Sequence, residues 1–205
     1  MKILALDLST ARGGLAWLDG DVELAREWPN DRKNSAHFFE NLNTVVKNFG
    51  APETIIIGLG PGSYAGTRIA ISAAIGLQVS SSARLIGFPS ICAIECEARE
   101  YCAIGDARRK SFFFARIGGR ELVEGPMLHS ESETKVKLDK LEPSIPIFSS
   151  DCLPQFERAV VRYPSPLVLA RVAQEPRRSF SLPPLEPIYL REPHVTIAKS
   201  GNIGL

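Results

Sequence analysis

The chain has 205 residues, of which 44% are apolar and 23% charged, with a formal net charge of +1. This length and composition predict a globular protein with a packed core, arranged as one larger domain or two small lobes. The near-zero net charge excludes an overall electrostatic attraction to nucleic acids or membranes. No apolar run approaches the ~20 residues of a membrane span, and we therefore expect a soluble, cytoplasmic protein.

The first hundred residues predict three strands followed by alternating helices and strands. The pair Asp19-Gly20 is typical of a hairpin turn between the second and third strands. Apolar residues at spacings of three and four predict an amphipathic helix over 34–49, capped by Asn34 or Ser35. In chain order the predicted elements are strands 2–8, 13–18 and 21–28, helix 34–49, strand 54–59, helix 65–80, strand 84–88 and helix 89–98.

The second half of the chain predicts shorter elements and a tail. Its expected elements are strands 101–106, 111–117, 120–125 and 145–149, a surface helix over 133–141 and a helix over 166–173. Proline, arginine and serine dominate from residue 175 onward, which predicts an extended or poorly ordered tail over 175–205. We expect a first lobe over 1–98, joined by a helix at 165–174, and a smaller second lobe over 99–164.

The order βββαβα is typical of the ribonuclease-H-like lobe that actin, Hsp70 and the sugar kinases share. It predicts an α/β, two-lobed actin-like (ASKHA) fold whose second lobe is small and degenerate. In actin-like ATPases an aspartate at the end of the first strand acts on the metal-bound nucleotide, and Asp7 occupies that place by analogy of fold. Asp106 is the candidate for the second acidic residue.

The stretch GLGPGSYAGTR, residues 58–68, predicts a loop that leads into a helix. It matches neither the Walker loop nor the dinucleotide fingerprint. Free N–H groups at the helix start could hold an anion, or the glycines could simply permit a tight turn. With the turn after the first strand, the candidate phosphate-binding residues are Asp7, Ser9, Thr10, Gly60, Gly62, Ser63 and Arg68.

Four segments give the chain a resemblance to the TsaB (YeaZ) family. They are KILALDLST at the start, GPGSYAGTR in the glycine loop, Asp106-Ala107-Arg108 before an aromatic strand, and PIYLR at 187–191. The second segment resembles the family's GPGSFTGxR, from which Tyr64 and Ala65 depart. The Ala65 departure removes a hydroxyl, and the family's His-Ser-Glu before the first helix is replaced by Asn34-Ser35-Ala36.

The resemblance implies a two-lobed subunit without catalytic residues or a metal site of its own. It implies that the chain binds TsaD as a heterodimer, with TsaE in a ternary complex, or pairs with a second copy in isolation. TsaD would then transfer threonylcarbamoyl to N6 of adenosine 37 in tRNA, which the chain would contact only indirectly. No cofactor is expected to bind tightly, and ATP or ADP would bind only at the interface of the complex. The expected partner-facing residues are Phe39, Ile71, Ile75 and Gln78.

Four other interpretations remain open at this point. An ATP-dependent phosphotransferase would use Asp7, Asp106 and the glycine loop. A peptidase is disfavoured because Ser63 lacks the Gly-x-Ser-x-Gly pattern of a nucleophile elbow. The basic turns at 108–110 and 177–178 could touch an RNA backbone or could be ordinary solvated surface. Cys92 and Cys96, four residues apart, could pair on a helix as metal ligands, although buried free thiols are expected.

Overall fold

The computed structural model describes residues 1–30 and 35–191. Two five-stranded sheets form two lobes, with strand orders β3-β2-β1-β4-β5 and β10-β9-β6-β7-β8. The first sheet contains β1 (Ile3–Asp7), β2 (Arg12–Asp19), β3 (Val22–Pro29), β4 (Thr54–Gly58) and β5 (Arg84–Phe88). The second contains β6 (Glu100–Asp106), β7 (Ser111–Gly118), β8 (Glu121–Ser130), β9 (Ile147–Ser149) and β10 (Ala159–Val161).

The first lobe follows the predicted βββαβαβ order, and with the second sheet it confirms the predicted α/β fold of two lobes. Its opening strands form an antiparallel meander, and β4 and β5 run parallel to β1. Strands β1 and β4 are buried along their whole length, as expected for central strands covered on both faces. The hairpin turn lies one residue later than predicted, because Asp19 pairs with Val22 and leaves Gly20 and Asp21 as the loop.

Two helices of the first lobe connect its strands. Helix α1 (Ala36–Phe49) buries Phe38, Leu42 and Val45 in the core. Ser35 is at its N-cap position but makes no side-chain capping bond, and the alternative cap, Asn34, lies outside the described residues. Helix α2 (Tyr64–Ser81) begins with a proper cap, since Ser63 Oγ accepts a hydrogen bond from Gly66 N–H.

The other two helices belong to the later part of the chain. Helix α3 (Glu131–Asp139) starts with a capping box in which Ser130 and Glu133 satisfy each other's backbone N–H groups. Helix α4 (Pro166–Val172) follows the second sheet in sequence and returns to pack on β1 and β2. The largest core cluster contains residues of both sheets together with α4, so apolar packing joins the lobes. Within the described part of the chain, no helix combines the length and apolarity of a membrane span.

The predicted helix over 89–98 is wrong. Only Ser90–Ala93 forms a single 3-10 turn, and all four of these residues are buried. The carbonyl of Ala93 accepts a hydrogen bond from Ser165 N–H, and Ile94 forms a bridge with Pro164. These long-range backbone bonds take the place of helical ones, which a local pattern of apolar residues cannot reveal.

Residues 175–191 run along the first lobe without a helix or a named strand. Ser181 forms a bridge with Gly87, and Ile188 N–H donates to Leu59 O at 2.8 Å. Leu185 is buried in the core of the first lobe. The described part of the tail is therefore extended and held on the lobe by both backbone bonds and apolar contacts. Strand β10 is an element that the sequence did not predict.

Candidate functional site

Asp7, the candidate metal–nucleotide carboxylate, is buried at the end of β1. Its Oδ1 accepts a hydrogen bond from Ser9 N–H at 2.8 Å, while Oδ2 has no hydrogen-bond partner in the described structure. Burial raises the pKa of Asp7 above the usual value for a carboxyl group, and the hydroxyls of Ser9 and Ser90 act in the opposite direction. The carboxyl group of an aspartate that binds a metal–nucleotide must be accessible, whereas Asp7 is buried.

The two predicted phosphate-binding turns lie against each other. Ser63 N–H donates to Ser9 O at 2.5 Å. A Cβ atom on Gly62 would lie 2.1 Å from the same carbonyl oxygen, and one on Gly66 would lie 2.1 Å from Leu8 O. The glycines thus allow the loop to approach the backbone after β1, which is the structural alternative left open by the sequence.

The remaining phosphate-site candidates are also engaged within the protein. Thr10 Oγ1 donates to Arg12 O at 2.8 Å, and Gly60 N–H donates to Ser90 Oγ at 2.9 Å. The Arg68 guanidinium lies over the Tyr64 ring, 5.2 Å from its centroid, and donates to Tyr64 Oη. Ser63 N–H, Thr10 Oγ1, Gly60 N–H and the Arg68 guanidinium therefore already have acceptors within the protein.

A cleft of about 660 Å³ separates the two lobes. Its apolar lining comes from both lobes and includes Leu59, Ile91, Phe113 and Phe148. This volume falls in the range of small-molecule sites, which are mostly apolar with a few polar groups. The polar lining groups are Ser9, Thr10, Ser63, Tyr64, Thr67, Asp106, Arg108, Ser149, Ser150, Asp151, Tyr189 and Arg191. Asp7, Gly60 and Arg68 do not line the cleft.

A strained basic turn lies at one rim of this cleft. Arg108, Arg109 and Lys110 join β6 to β7 and have φ angles of 65°, 54° and 58°. Each non-glycine residue in this left-handed region costs about 1–2 kcal/mol, and glycine or asparagine normally occupies such hairpin positions. Asp106, the second acidic candidate, is part of the turn, because its Oδ1 accepts from Arg108 N–H at 2.6 Å.

The predicted partner-facing residues fall into two groups. Phe39 and Ile75 have 49% and 47% of their surface exposed, respectively. Ile71 is buried in the first-lobe core, and Gln78 is half-buried with Nε2 bonded to Ala83 O, so a partner-facing role for these two residues stays a prediction that their burial does not support. The sequence missed Val79, which is 82% exposed, because α2 is apolar on nearly every side and its periodicity does not indicate which side faces the sheet.

Tyr189 belongs to the PIYLR motif, but the sequence did not show which residue its side chain contacts. Its ring lies 5.3 Å from that of Tyr64, so the described tail contacts the first turn of α2 beside the cleft. The neighbouring Tyr64 raises the pKa of Tyr189. The motif PIYLR contained the signal, but only the tertiary structure shows which residue it meets.

Cys92 and Cys96 are not placed as the pair of ligands on a helix that their spacing allows. Cys92 is buried, and burial raises the pKa of its thiol to about 12. Cys96 does not lie on a helix with Cys92 as predicted, because the 3-10 turn ends at Ala93. The described residues contain no group of three or more histidine, cysteine, aspartate or glutamate side chains placed to hold a metal ion.

Comparison with solved structures gives a clear likeness in fold. A Pseudomonas aeruginosa protein described as uncharacterized, with similarity to peptidase YeaZ, matches with a TM-score of 0.71 and 18% identity, covering 93% of this chain and 99% of its own. YeaZ from Pseudomonas aeruginosa matches with a TM-score of 0.67 and 19% identity, covering 84% and 91%. No family model matches the chain, and no curated protein does. The chain therefore has the fold of the YeaZ structures over nearly its whole length.

Proposed function

We propose that the chain is a member of the TsaB (YeaZ) family and a subunit without catalytic activity of its own. In this proposal it binds TsaD in the cytoplasm and supports the transfer of threonylcarbamoyl to adenosine 37 of tRNA. The fold supports the family that the four sequence segments suggest. The observation that carries the proposal is an exposed apolar face along α2.

This face follows one side of the helix. Ile75 and Val79 are exposed and lie four residues apart, and Ser72 and Gly76 on the same side are exposed and small. Exposed apolar side chains beside small residues allow a second helix to approach closely and bury the patch. We propose that a helix of TsaD, or of a second copy when TsaD is absent, covers this face.

Gly76 supports the same interpretation. Glycine inside a helix is destabilising by about 0.5–1 kcal/mol relative to alanine. A Cβ atom on Gly76 would meet no atom within 4 Å in the described structure, so nothing observed within the chain requires glycine there. A partner helix that packs closely against the backbone at Gly76 would explain why this position has no side chain.

A non-catalytic role agrees with the contacts made by the candidate phosphate-binding residues. The carboxylate of Asp7 is buried, and the donor that an anion would need, Ser63 N–H, is bonded to Ser9 O. The face of α2 remains exposed in the same molecule. The features that a phosphotransferase would use are thus engaged internally, whereas a docking surface is available.

The substitution Val79→Lys tests the proposed interface. A charge in the centre of an apolar contact must be desolvated, and we expect affinity for TsaD from the same organism to fall at least about tenfold. The stability of the isolated chain should change by less than about 0.5 kcal/mol, because Val79 is a surface residue. Calorimetric titration measures the first quantity and urea denaturation the second.

Val160→Lys is the matched control, since Val160 is also exposed but lies on β10 in the second lobe. It should leave TsaD binding unchanged. Equal affinities for the wild type and Val79→Lys would contradict the assignment of this face. If the wild type neither binds TsaD nor raises threonylcarbamoyl transfer by it, the proposed function itself is wrong.

A further inference from the structure

We propose that the mouth of the cleft between the lobes binds a nucleoside phosphate, with the phosphate on the basic turn 108–110 and the nucleoside inside the cleft. This binding mode differs from that of an actin-like kinase, whose phosphate site is closed here by the contact between Ser63 and Ser9. The nucleotide could be free in solution or part of a single RNA strand. The inference does not rest on the proposed function, because it concerns another surface of the isolated chain.

The turn supplies uncompensated positive charge. Within residues 1–30 and 35–191, Arg109 and Lys110 have neither a hydrogen bond nor an ion pair, and both are exposed. Arg191 donates to Arg108 O at 3.3 Å, which brings a further guanidinium to the turn. Arg108 is the member whose charge is partly balanced, by Asp106 at 3.5 Å.

The backbone conformation of the turn would favour glycine, so the basic residues found there indicate that their charge is important. Three consecutive left-handed positions would be satisfied without strain by glycine. Here they carry two arginines and a lysine, of which Arg108 lines the cleft. Backbone strain retained at one place in a fold is a reason to look for function there, and exposed cations of this kind bind phosphate.

The cleft supplies the complementary apolar surface. Arg108 and Arg191 line it at the rim, and Phe113, Phe148 and Ile91 line its walls. Its volume of about 660 Å³ is sufficient for a nucleoside. A single-stranded base that is not stacked on its neighbours can enter such a cleft, whereas a paired base in a duplex cannot.

Polar groups of the first lobe also line the cleft. Ser9 is 1% exposed, and its hydroxyl lies close enough to Asp7 to lower the pKa of that carboxyl group. The two carboxylates of the cleft, Asp106 and Asp151, accept backbone hydrogen bonds and lie at the same end as Arg108.

Calorimetric titration of the full chain with AMP, adenosine and inorganic phosphate tests the proposal. AMP should bind more tightly than either of the other two, because only AMP uses both the turn and the cleft. A labelled oligoadenylate of about ten nucleotides tests RNA as the source of the nucleotide. The single strand should bind more tightly than the same strand paired with oligouridylate.

The double substitution R109G/K110G removes two cations and the backbone strain at these two positions, while Arg108 is kept. We expect binding to weaken at least about tenfold, while the melting temperature stays the same or rises. For RNA the dependence of log K on log salt should become shallower by about 1.4, the value for two lost phosphate contacts on a single strand. Ala107→Trp, which keeps every charge but narrows the mouth, should weaken AMP binding more than phosphate binding.

Arg84→Ala combined with Lys140→Ala is the control, since it removes two exposed cations that do not line the cleft. Its binding should match the wild type. Binding of AMP alone would identify a free nucleotide as the source, and binding of the single strand alone would identify RNA. The proposal is overturned if neither binds, if the control weakens binding as much as R109G/K110G, or if the duplex binds as tightly as the single strand.

Discussion

Gly66→Ala is expected to lower the free energy of unfolding by about 3 kcal/mol, near the upper part of the usual range for an overpacked site. The added Cβ would lie 2.1 Å from Leu8 O, a backbone atom rather than the end of a flexible side chain. That carbonyl also accepts a hydrogen bond from Asn30 Nδ2 at 3.1 Å, so it cannot shift without breaking a second contact. Urea denaturation at constant m-value measures the loss.

Gly76→Ala is the matched control, because it makes the same change ten residues later in the same helix. No atom lies within 4 Å of its added Cβ, and we expect stability to rise by about 0.5–1 kcal/mol. The two alanine variants should therefore differ in sign. Equal effects would mean that the loop does not lie against the turn after β1. The Gly76 variant should also bind TsaD less tightly, if that face of α2 is the interface.

Asp7→Asn should stabilise the protein at neutral pH by at least about 1 kcal/mol, because it removes the cost of ionising a buried carboxyl group. Asparagine keeps the acceptor for Ser9 N–H but cannot ionise. Burial raises the pKa of Asp7 in the folded protein. The stability associated with this group is therefore complete below the unfolded value of 3.8 and is lost as the pH rises through the folded pKa.

The difference between Asp7→Asn and the wild type should consequently be small near pH 4, grow with pH and then become constant above the folded pKa. Thermal denaturation between about pH 4 and pH 8 measures this profile. Asp7→Ala is the comparison variant and should destabilise, since it leaves Ser9 N–H without its acceptor. A loss of stability for Asp7→Asn at pH 7 would contradict the inferred burial of the charge.

The Asp7→Asn variant also separates the two main functional interpretations. A phosphotransferase that used Asp7 would lose its activity on this substitution, whereas the scaffold proposed here should bind TsaD as the wild type does. A more stable variant with unchanged TsaD binding would indicate that Asp7 has a structural role only.

The order of the first seven elements and the position of the glycine loop could be predicted from the sequence. Short-range patterns decide these features: alternation and β-branched runs in the strands, spacings of three and four in α1, and the Ser63 cap of α2. Such patterns depend on contacts between residues that are close along the chain, and a sequence displays them directly.

The sequence did not show which residues of these elements are exposed and which bond to distant parts of the chain. The segment at 89–98 lost its predicted helix to hydrogen bonds with residues 164 and 165, and Ile71 lies in the core while Val79, eight residues later, does not. In the glycine loop, Ser63 N–H is bonded to the carbonyl of Ser9. Arg191 is bonded to the basic turn, which lies about eighty residues earlier in the sequence. Each outcome depends on contacts between distant segments, whose partners no local pattern specifies.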